Sequence, residues 1–412
     1  MECVIMEFSK ESTIVNRKLR FHLLGLAHLP TSKLYNSCAF TQKNIKLSKM
    51  LTSLGHEVFL YGCKSYSENY TLPVCTEFIP THTVEDIRDD YGEGDNRFEI
   101  GYDWMKNEFR HDINSKPNKS TLRYIESCIR EISKRKRNGD ILLITQGVYQ
   151  KAIGDVVNIE LTCEPGIGYR GSYCKYRAFE SAYIQNFTYG SEHPRQSING
   201  NYYDRVIPNY FDEDDILFSE EKFNYFLYIG RMISRKGVDT AVKVCNIIGK
   251  DLLLAGQGAD IINGNLIAPG ELNIKPGKWI YAGYADYERR KRLFANACGV
   301  FVPTLYLEPF AGTHIEAMLS GTPVITTDFG VFPETVINGV NGFRCNVLQD
   351  FINAANKIKT LSPVQVRNSA EKFLCNNVKW LYEKWFQELY DLYESVHNSS
   401  KLAWHRIRNT SE

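Results

Sequence analysis

The sequence predicts an α/β protein made of two doubly wound, Rossmann-like parallel-sheet domains, and three observations carry this. Short apolar runs recur through the second half, at 226–229, 252–255, 279–282, 300–302 and 324–327, each leaving into a polar exit. The first half opens in strand–helix–strand order, with an apolar run at 19–26, helical spacing over 39–54 stopped by Gly55, and a second run at 57–61. A chain of 412 residues, 43% hydrophobic and 24% charged, has globular composition and room for two or three domains. Sheets of this class bind ligands beyond the carboxyl ends of their strands, so the exits are where functional side chains are sought.

Composition narrows the function classes. A net charge of +1 gives no whole-molecule attraction to nucleic acid or anionic membrane. No apolar run reaches spanning length, and the mixed-charge residues 1–20 lack the apolar centre of a signal peptide, so stable membrane insertion is not expected. Eleven cysteines include no C-x-x-C pair, and Cys163, Cys245 and Cys298 lie in apolar stretches, which favours reduced core thiols and a cytoplasmic protein. The triplets Asn69-Tyr-Thr71 and Asn186-Phe-Thr188 then read as chance matches to a glycosylation signal.

Residues before Arg17 carry little pattern and read as a loose leader. The loop after the first strand, Gly25-Leu-Ala-His28-Leu-Pro-Thr31, has neither G-x-G-x-x-G nor G-x-x-x-x-G-K-[ST], which argues against a dinucleotide dehydrogenase and a P-loop NTPase. His28 stands where a side chain would face a ligand, and a packed histidine fits equally well. Residues 66–118 are irregular and rich in Asp, Gly and aromatics (Tyr91, Phe98, Tyr102, Trp104, Phe109), fitting either an acceptor-binding surface or decoration. A helix is expected over 121–136, its terminal Lys134-Arg-Lys-Arg137 complementing the dipole. Strands are expected at 141–144 and 156–161, the latter running into Cys163-Glu164-Pro-Gly166-Ile-Gly168-Tyr169-Arg170-Gly171. A carboxylate just past a strand end, with Tyr169, Arg170, Tyr173 and Arg177 nearby, suits an acceptor site somewhat better than an ordinary turn. A further strand over 204–212 leads to Asp212-x-Asp214, which reads as an acidic linker rather than a metal site.

In the second half, Arg231 leaves the first strand and Lys236 stands at the start of the next helix, where a cation opposes the dipole unless an anion is bound. This suggests phosphate; a solvated lysine beside Asp239 is the rival reading. Gly256-Gln-Gly258 and Gly283-Tyr284 form two more exits, and Tyr287-Glu-Arg-Arg-Lys-Arg292 reads as a charged helix face. The richest exit follows 300–302. Glu308 precedes a helix expected over 311–320, whose start holds Gly312 and Thr313 and whose second carboxylate is Glu316. Such a loop can offer free N–H groups to an anion and carboxylate oxygens to hydroxyls. An aromatic helical stripe over 379–396 (Trp380, Trp385, Phe386, Tyr390, Tyr393) reads as a packing face, and 401–408 as a short basic tail.

Together, Tyr228-Ile-Gly-Arg231 with Lys236-Gly237-Val-Asp239, Ala255-Gly-Gln-Gly258, Glu308-Pro-Phe with Glu316-Ala-Met, Gly321-Thr-Pro-Val, Asp328-Phe-Gly330…Glu334 and Asn341-Gly-Phe343 resemble the retaining family 4 glycosyltransferases of GT-B fold. The resemblance covers the second half; in the first half it rests on strand–helix order and Ile207-Pro-Asn209. It implies two Rossmann-like domains facing across a cleft, an acceptor domain over 1–212 and a nucleotide-sugar domain over 213–378, with 379–412 a helix returning to the first domain plus the tail. It further implies that Arg231 and Lys236 hold the donor diphosphate and that Glu308 bonds donor-sugar hydroxyls. The backbone of Phe310, Ala311 and Gly312, near Thr313, would meet sugar and phosphate, with Gly230, Gly258 and Tyr284 lining the donor site. Glu316 would bind the ribose. Retention, domain closure and catalysis without a metal or other cofactor are also implied.

Two departures bear on the acceptor side. A glycine-rich first loop is replaced by Gly25-Leu-Ala-His28, and the histidine that many members place beside the donor sugar has Glu164 as its nearest counterpart. Either the leaving diphosphate takes the acceptor proton, or Glu308 and Glu164 act as a carboxylate pair, which requires them about 5–5.5 Å apart. His28, Tyr169 and Arg170 are the expected acceptor contacts. The expected activity is transfer from a nucleotide-diphosphate sugar, UDP being the first guess, to a glycan or glycolipid hydroxyl. Alternatives are a hydroxylated base in DNA, which the near-neutral charge disfavours, and a sugar-nucleotide-binding module or epimerase of the same fold.

Overall fold

The computed structural model describes residues 17–35, 38–64, 72–91, 118–192, 200–268 and 271–397. The leader before Arg17, most of 66–118 with Phe98, Tyr102, Trp104 and Phe109, the Asn69 triplet and the basic tail lie outside the described residues.

The first domain runs β1 (Arg20–Leu24), α1 (Ala39–Ser53), β2 (Glu57–Lys64), β3 (Glu77–Thr83), α2 (Val84–Tyr91), α3 (Lys119–Arg135), β4 (Ile141–Leu143), α4 (Lys151–Val157), β5 (Leu161–Ile167), β6 (Tyr176–Phe179), α5 (Ala182–Glu192) and β7 (Arg205–Val206). Its strands pair in parallel in the order β3-β2-β1-β4-β5-β6-β7. Central strands such as β4, buried throughout, read as unbroken apolar runs because helices cover both faces. At the start of α3 the Asn118 side chain accepts from Thr121 N, and at its end Arg135 pairs with Glu131 and Glu77.

The second domain runs β8 (Tyr225–Ile229), α6 (Val238–Ile248), β9 (Asp251–Ala255), β10 (Asp260–Ile262), β11 (Asn265–Ala268), β12 (Leu272–Ile274), β13 (Trp279–Tyr281), α7 (Tyr287–Asn296), β14 (Gly299–Val302), α8 (Gly312–Leu319), β15 (Val324–Thr327), α9 (Phe332–Thr335), β16 (Gly342–Cys345), α10 (Leu348–Lys357) and α11 (Pro363–Ala370). Its main sheet has the order β13-β9-β8-β14-β15-β16, and β10-β11-β12 form a small antiparallel sheet beside it. The last helix, α12 (Cys375–His397), returns to the first domain: Val378, Tyr382, Trp385, Phe386 and Leu389 are buried with Phe21, Leu47 and Val58. Glu383 on α12 bonds His56 of the first domain at 2.6 Å, and Trp385 Nε1 donates to Tyr203 O at 2.8 Å. Among the described residues no helix is long and apolar enough to cross a membrane.

Two expected strands are corrected. Residues 156 and 157 end α4, which buries Ile153 and Val157 and leaves Val156 exposed; Asn158, left-handed at φ 46, stops it. The pair of valines mimics a strand start, but their burial follows helical phase. The strand begins at Leu161, so Glu164 lies within β5 rather than beyond it. Of 204–212 only Arg205–Val206 pairs with β6, since Pro208 has no N–H to extend a ladder. The structure adds β3, β6, β10–β12 and β16, whose short or polar sequences gave little apolar signal.

Candidate functional site

The floor of the site is three strand exits joined through their backbones. Gly230 N donates to Ala255 O at 2.9 Å, Met232 N to Gln257 O at 2.8 Å, and Gly256 N to Gly283 O at 2.9 Å. Gly256 is held at φ 143, and a Cβ there would lie 1.7 Å from Gly230 O, so only glycine permits this approach. Gly258 is half-buried beside Met232 O. Arg231 is exposed and close to Tyr228 and Tyr306, whose pKa values burial raises while the Arg231 charge opposes the rise. Tyr284 lies beside Arg290.

Glu308 sits over this floor, 3% exposed. Oε1 accepts from Lys236 Nζ and Oε2 accepts from the Tyr306 hydroxyl at 2.6 Å. The ammonium also lies 4.7 Å from the centroid of the Tyr306 ring, and burial raises the Tyr306 pKa, keeping its hydroxyl a donor. Burying a carboxylate this deeply is costly unless it is paired and hydrogen-bonded. Its backbone is fixed by the turn after β15: Val331 N donates to Glu308 O at 3.1 Å, and a Cβ on Gly330 would come 2.9 Å from Glu308 N. Lys236 ends a single turn, Ser234–Lys236, just before α6, and Gly237 follows at φ 72. Its anionic partner is therefore Glu308, while Asp239 pairs with Lys243 at 3.5 Å.

Ala311 caps α8 in the left-handed region, at φ 60 and ψ 65, a conformation that costs a non-glycine residue about 1 kcal/mol or more. His314, fully buried, holds it: His314 Nδ1 donates to Ala311 O, and Nε2 accepts from the Thr335 hydroxyl at 2.8 Å. Burial pushes the His314 pKa down to about 4. Phe310 is buried, 6.4 Å from the Phe211 ring, while Gly312 and Thr313 are half-buried at the helix start. Glu316 points to α7, where Arg290 Nε donates to Oε1 at 3.0 Å and a terminal guanidinium nitrogen donates to Oε2.

The first domain docks on this loop through Ser181, Lys43 and Glu180, which the sequence did not single out, and through Glu334 of the resemblance motif. Ser181 Oγ donates to Pro309 O at 2.6 Å, and the Glu334 carboxylate accepts from Ala182 N and Tyr183 N at 2.9 and 2.7 Å, capping α5 across the domains. Lys43 bonds Glu180 at 2.8 Å beside Gly168, where a Cβ would sit 3.5 Å from Pro309.

The expected acceptor residues belong to β5 and to the loops after β1 and β5. Glu164 is fully buried, accepting from Tyr173 N, Cys174 N and the Tyr169 hydroxyl at 2.6, 2.8 and 3.2 Å, and burial raises its pKa. Its oxygens serve the loop that follows β5. Arg170 is exposed over the Phe187 ring, and His28 is half-buried after β1. Asp212 and Asp214 both bond Lys49, tying the domain crossing to α1. Within the charged face of 287–292, Arg290 turns towards α8 to meet Glu316. It lies 5.0 Å over buried Phe294, and that apolar residue one turn on is the signal that this cation turns inward. Tyr306 had no comparable signal beyond its closeness to Glu308.

Comparisons agree with this architecture. The model of the family "Glycosyl transferases group 1" matches residues 210–380. An uncharacterized glycosyltransferase of Methanocaldococcus jannaschii is 28% identical over 156 residues, 34% of this chain and 39% of that protein. The O-antigen chain mannosyltransferase RfbU of Salmonella typhimurium is 26% identical over 187 residues, 44% of this chain and 52% of its own length. The chain thus spans about half or less of these curated relatives. Among solved structures, AviGT4, a glycosyltransferase involved in avilamycin A biosynthesis, superposes with a TM-score of 0.59 at 18% identity, covering 90% of this chain and 98% of that one. HepE of Anabaena, solved with UDP and glucose, gives 0.59 at 12% identity, covering 89% and 98%. The chain has the GT-B fold, and its residues 210–380 match the model of the group 1 glycosyltransferases.

Proposed function

We propose that the protein transfers a sugar from a nucleotide-diphosphate sugar to a hydroxyl of a glycan or glycolipid, with retention at the anomeric carbon and without a metal. The observation that carries this reading is Glu308. It is a buried carboxylate clamped by Lys236 and Tyr306, directly before the strained start of α8 and above the exits of β8 and β9. In this reading Glu308 meets the sugar hydroxyls, Arg231 and Lys236 meet the diphosphate with the N–H groups at the start of α8, and Glu316 meets the ribose.

The chemistry needs no protein base. As the anomeric carbon–oxygen bond breaks, charge developing on the diphosphate is offset by two cations and the helix start, arranged before reaction. The acceptor oxygen bonds to the anomeric carbon on the face the diphosphate leaves, and its proton passes to the departing phosphate oxygen. The hydrogen bonds already occupying Glu164 favour this route over a Glu308–Glu164 pair.

A thermal-shift screen of UDP-, GDP- and ADP-sugars, followed by mass spectrometry of glycan and glycolipid acceptors, tests the proposal. A donor-dependent product lost in Glu308→Ala is expected. No shift with any nucleotide sugar would refute the reading, and donor conversion without acceptor would point to an epimerase instead.

A further inference from the structure

Glu180, just after β6, is a buried carboxylate with one oxygen unused. It is 6% exposed, and Oε1 accepts from Lys43 Nζ at 2.8 Å. The same ammonium donates to Gly166 O at 2.7 Å and lies 5.1 and 5.9 Å from the centroids of the Phe40 and Tyr169 rings, so the lysine is held and in turn holds the carboxylate. Oε2 has no hydrogen-bond partner among the described residues. It lies over Gly168, where a Cβ would stand 2.2 Å from Oε2 and 3.5 Å from Pro309 Cβ, so this oxygen and the proline next to Glu308 flank one point. The three residues that follow are each bonded to the second domain, Ser181 to Pro309, and Ala182 and Tyr183 to Glu334. Glu180 thus has the place expected for Glu164: a first-domain carboxylate beside the loop that carries Glu308.

An ion pair that served only to pin α1 to β6 would have no use for the second oxygen, and leaving a buried acceptor unmet is costly. A carboxylate paired with an ammonium only accepts, so what Oε2 lacks is a donor. Where a sugar is transferred, the donors arriving from the first-domain side are hydroxyls of the acceptor. The attacking hydroxyl is not available, because its one proton goes to the departing phosphate oxygen. A hydroxyl next to it is.

We propose that Glu180 determines acceptor specificity: Oε2 accepts from a hydroxyl adjacent to the one that attacks, and Lys43 positions the carboxylate for it. The acceptor is then a sugar with two neighbouring hydroxyls, since a lone hydroxyl would leave Oε2 unmet. This rests on the proposed transfer to a glycan or glycolipid from a donor sugar held at Glu308.

The test uses the nucleotide sugar that binds wild type best and, as acceptors, methyl glycosides of glucose, galactose and mannose in both anomers. The glycoside that accepts best is then compared with its monodeoxy counterparts. For wild type, kcat/KM should fall at least about tenfold when a hydroxyl adjacent to the site of transfer is removed, as expected for one hydrogen bond to a charged group. In Glu180→Gln this deoxy penalty should drop below about threefold, because Lys43 claims the amide oxygen and turns the amide NH2 towards the acceptor. Gly168→Ala keeps the charge but drives a methyl into the place of Oε2; it should act likewise, and it serves should the glutamine variant fold poorly. Donor Kd, measured by calorimetry, should stay within about twofold of wild type in both variants. The penalty compares two acceptors on one folded protein, so a general loss of stability leaves it unchanged. A full penalty retained in either variant, or none in wild type, overturns the inference while leaving the proposed transferase intact. No transfer to any glycoside by wild type overturns the inference, and overturns the proposed function as well if the glycans and glycolipids of the screen also give no product.

Discussion

Lowering the pH should weaken the protein through one histidine beneath the proposed donor loop. His314 is fully buried, and its pKa falls from 6.5 to about 4 because burial opposes the charged ring. Above pH 6.5 both folded and unfolded chains hold a neutral ring, and the contribution is fully present. Below it the unfolded chain takes up a proton that the folded chain refuses, so stability falls as pH falls towards 4. The full displacement corresponds to about 3 kcal/mol, and at pH 5 about 2 kcal/mol is already lost relative to pH 7.5. Urea unfolding of wild type and His314→Asn between pH 5 and 7.5 isolates this, since the asparagine amide can still donate to Ala311 O while other titrating groups cancel in the difference. The wild-type curve should drop about 2 kcal/mol further than the variant curve. Proton NMR of the ring gives the pKa directly. Parallel curves, or a ring titrating near 6.5, would refute the burial argument.

Three further outcomes follow from the same geometry. Glu308→Gln should cut transfer by about 10²-fold or more with little change in nucleotide affinity, because Glu308 is assigned to the sugar hydroxyls and not to the nucleotide; equal loss in binding and turnover would contradict this. Gly237→Ala places a Cβ 1.9 Å from Pro303 O at φ 72, and should lose at least about 2 kcal/mol in thermal unfolding; a variant as stable as wild type sinks the claim. Glu334→Ala removes the cross-domain cap of α5, worth about 1 kcal/mol, and should enlarge the radius of gyration in small-angle scattering; unchanged scattering would show that the cap does not hold the domains together.

What the sequence disclosed follows from what local physics controls. Strands β8, β9, β14 and β15 were legible because parallel strands covered by helices are mostly apolar, and glycines such as Gly256 were legible because only they tolerate the exits they make. Strand β16, Gly342–Cys345, was not, since its middle residues are only half-buried and one is arginine. Positions 156 and 157 misled because two valines favour a strand locally while the helix α4 uses one of them as core. The carboxylates of the site could be named, but their partners could not. Lys236 meets Glu308 from 72 residues away, where two strand exits converge, and Arg290 meets Glu316 from 26, where α7 packs on α8.

Those two pairings explain how one loop can be both stable and receptive. Without the lysine, Glu308 would be an uncompensated charge at 3% exposure, which costs several kcal/mol. With it, the loop folds around an internal ion pair placed where the proposed donor must enter. A diphosphate arriving at Lys236 brings its own negative charge, and the sugar brings hydroxyls to Glu308, so each half of the pair exchanges one partner for another instead of being stripped. Arg290 and Glu316 form a second pair, which ties α7 to α8. On this reasoning the sugar–diphosphate end of the donor governs the conformational response of the loop.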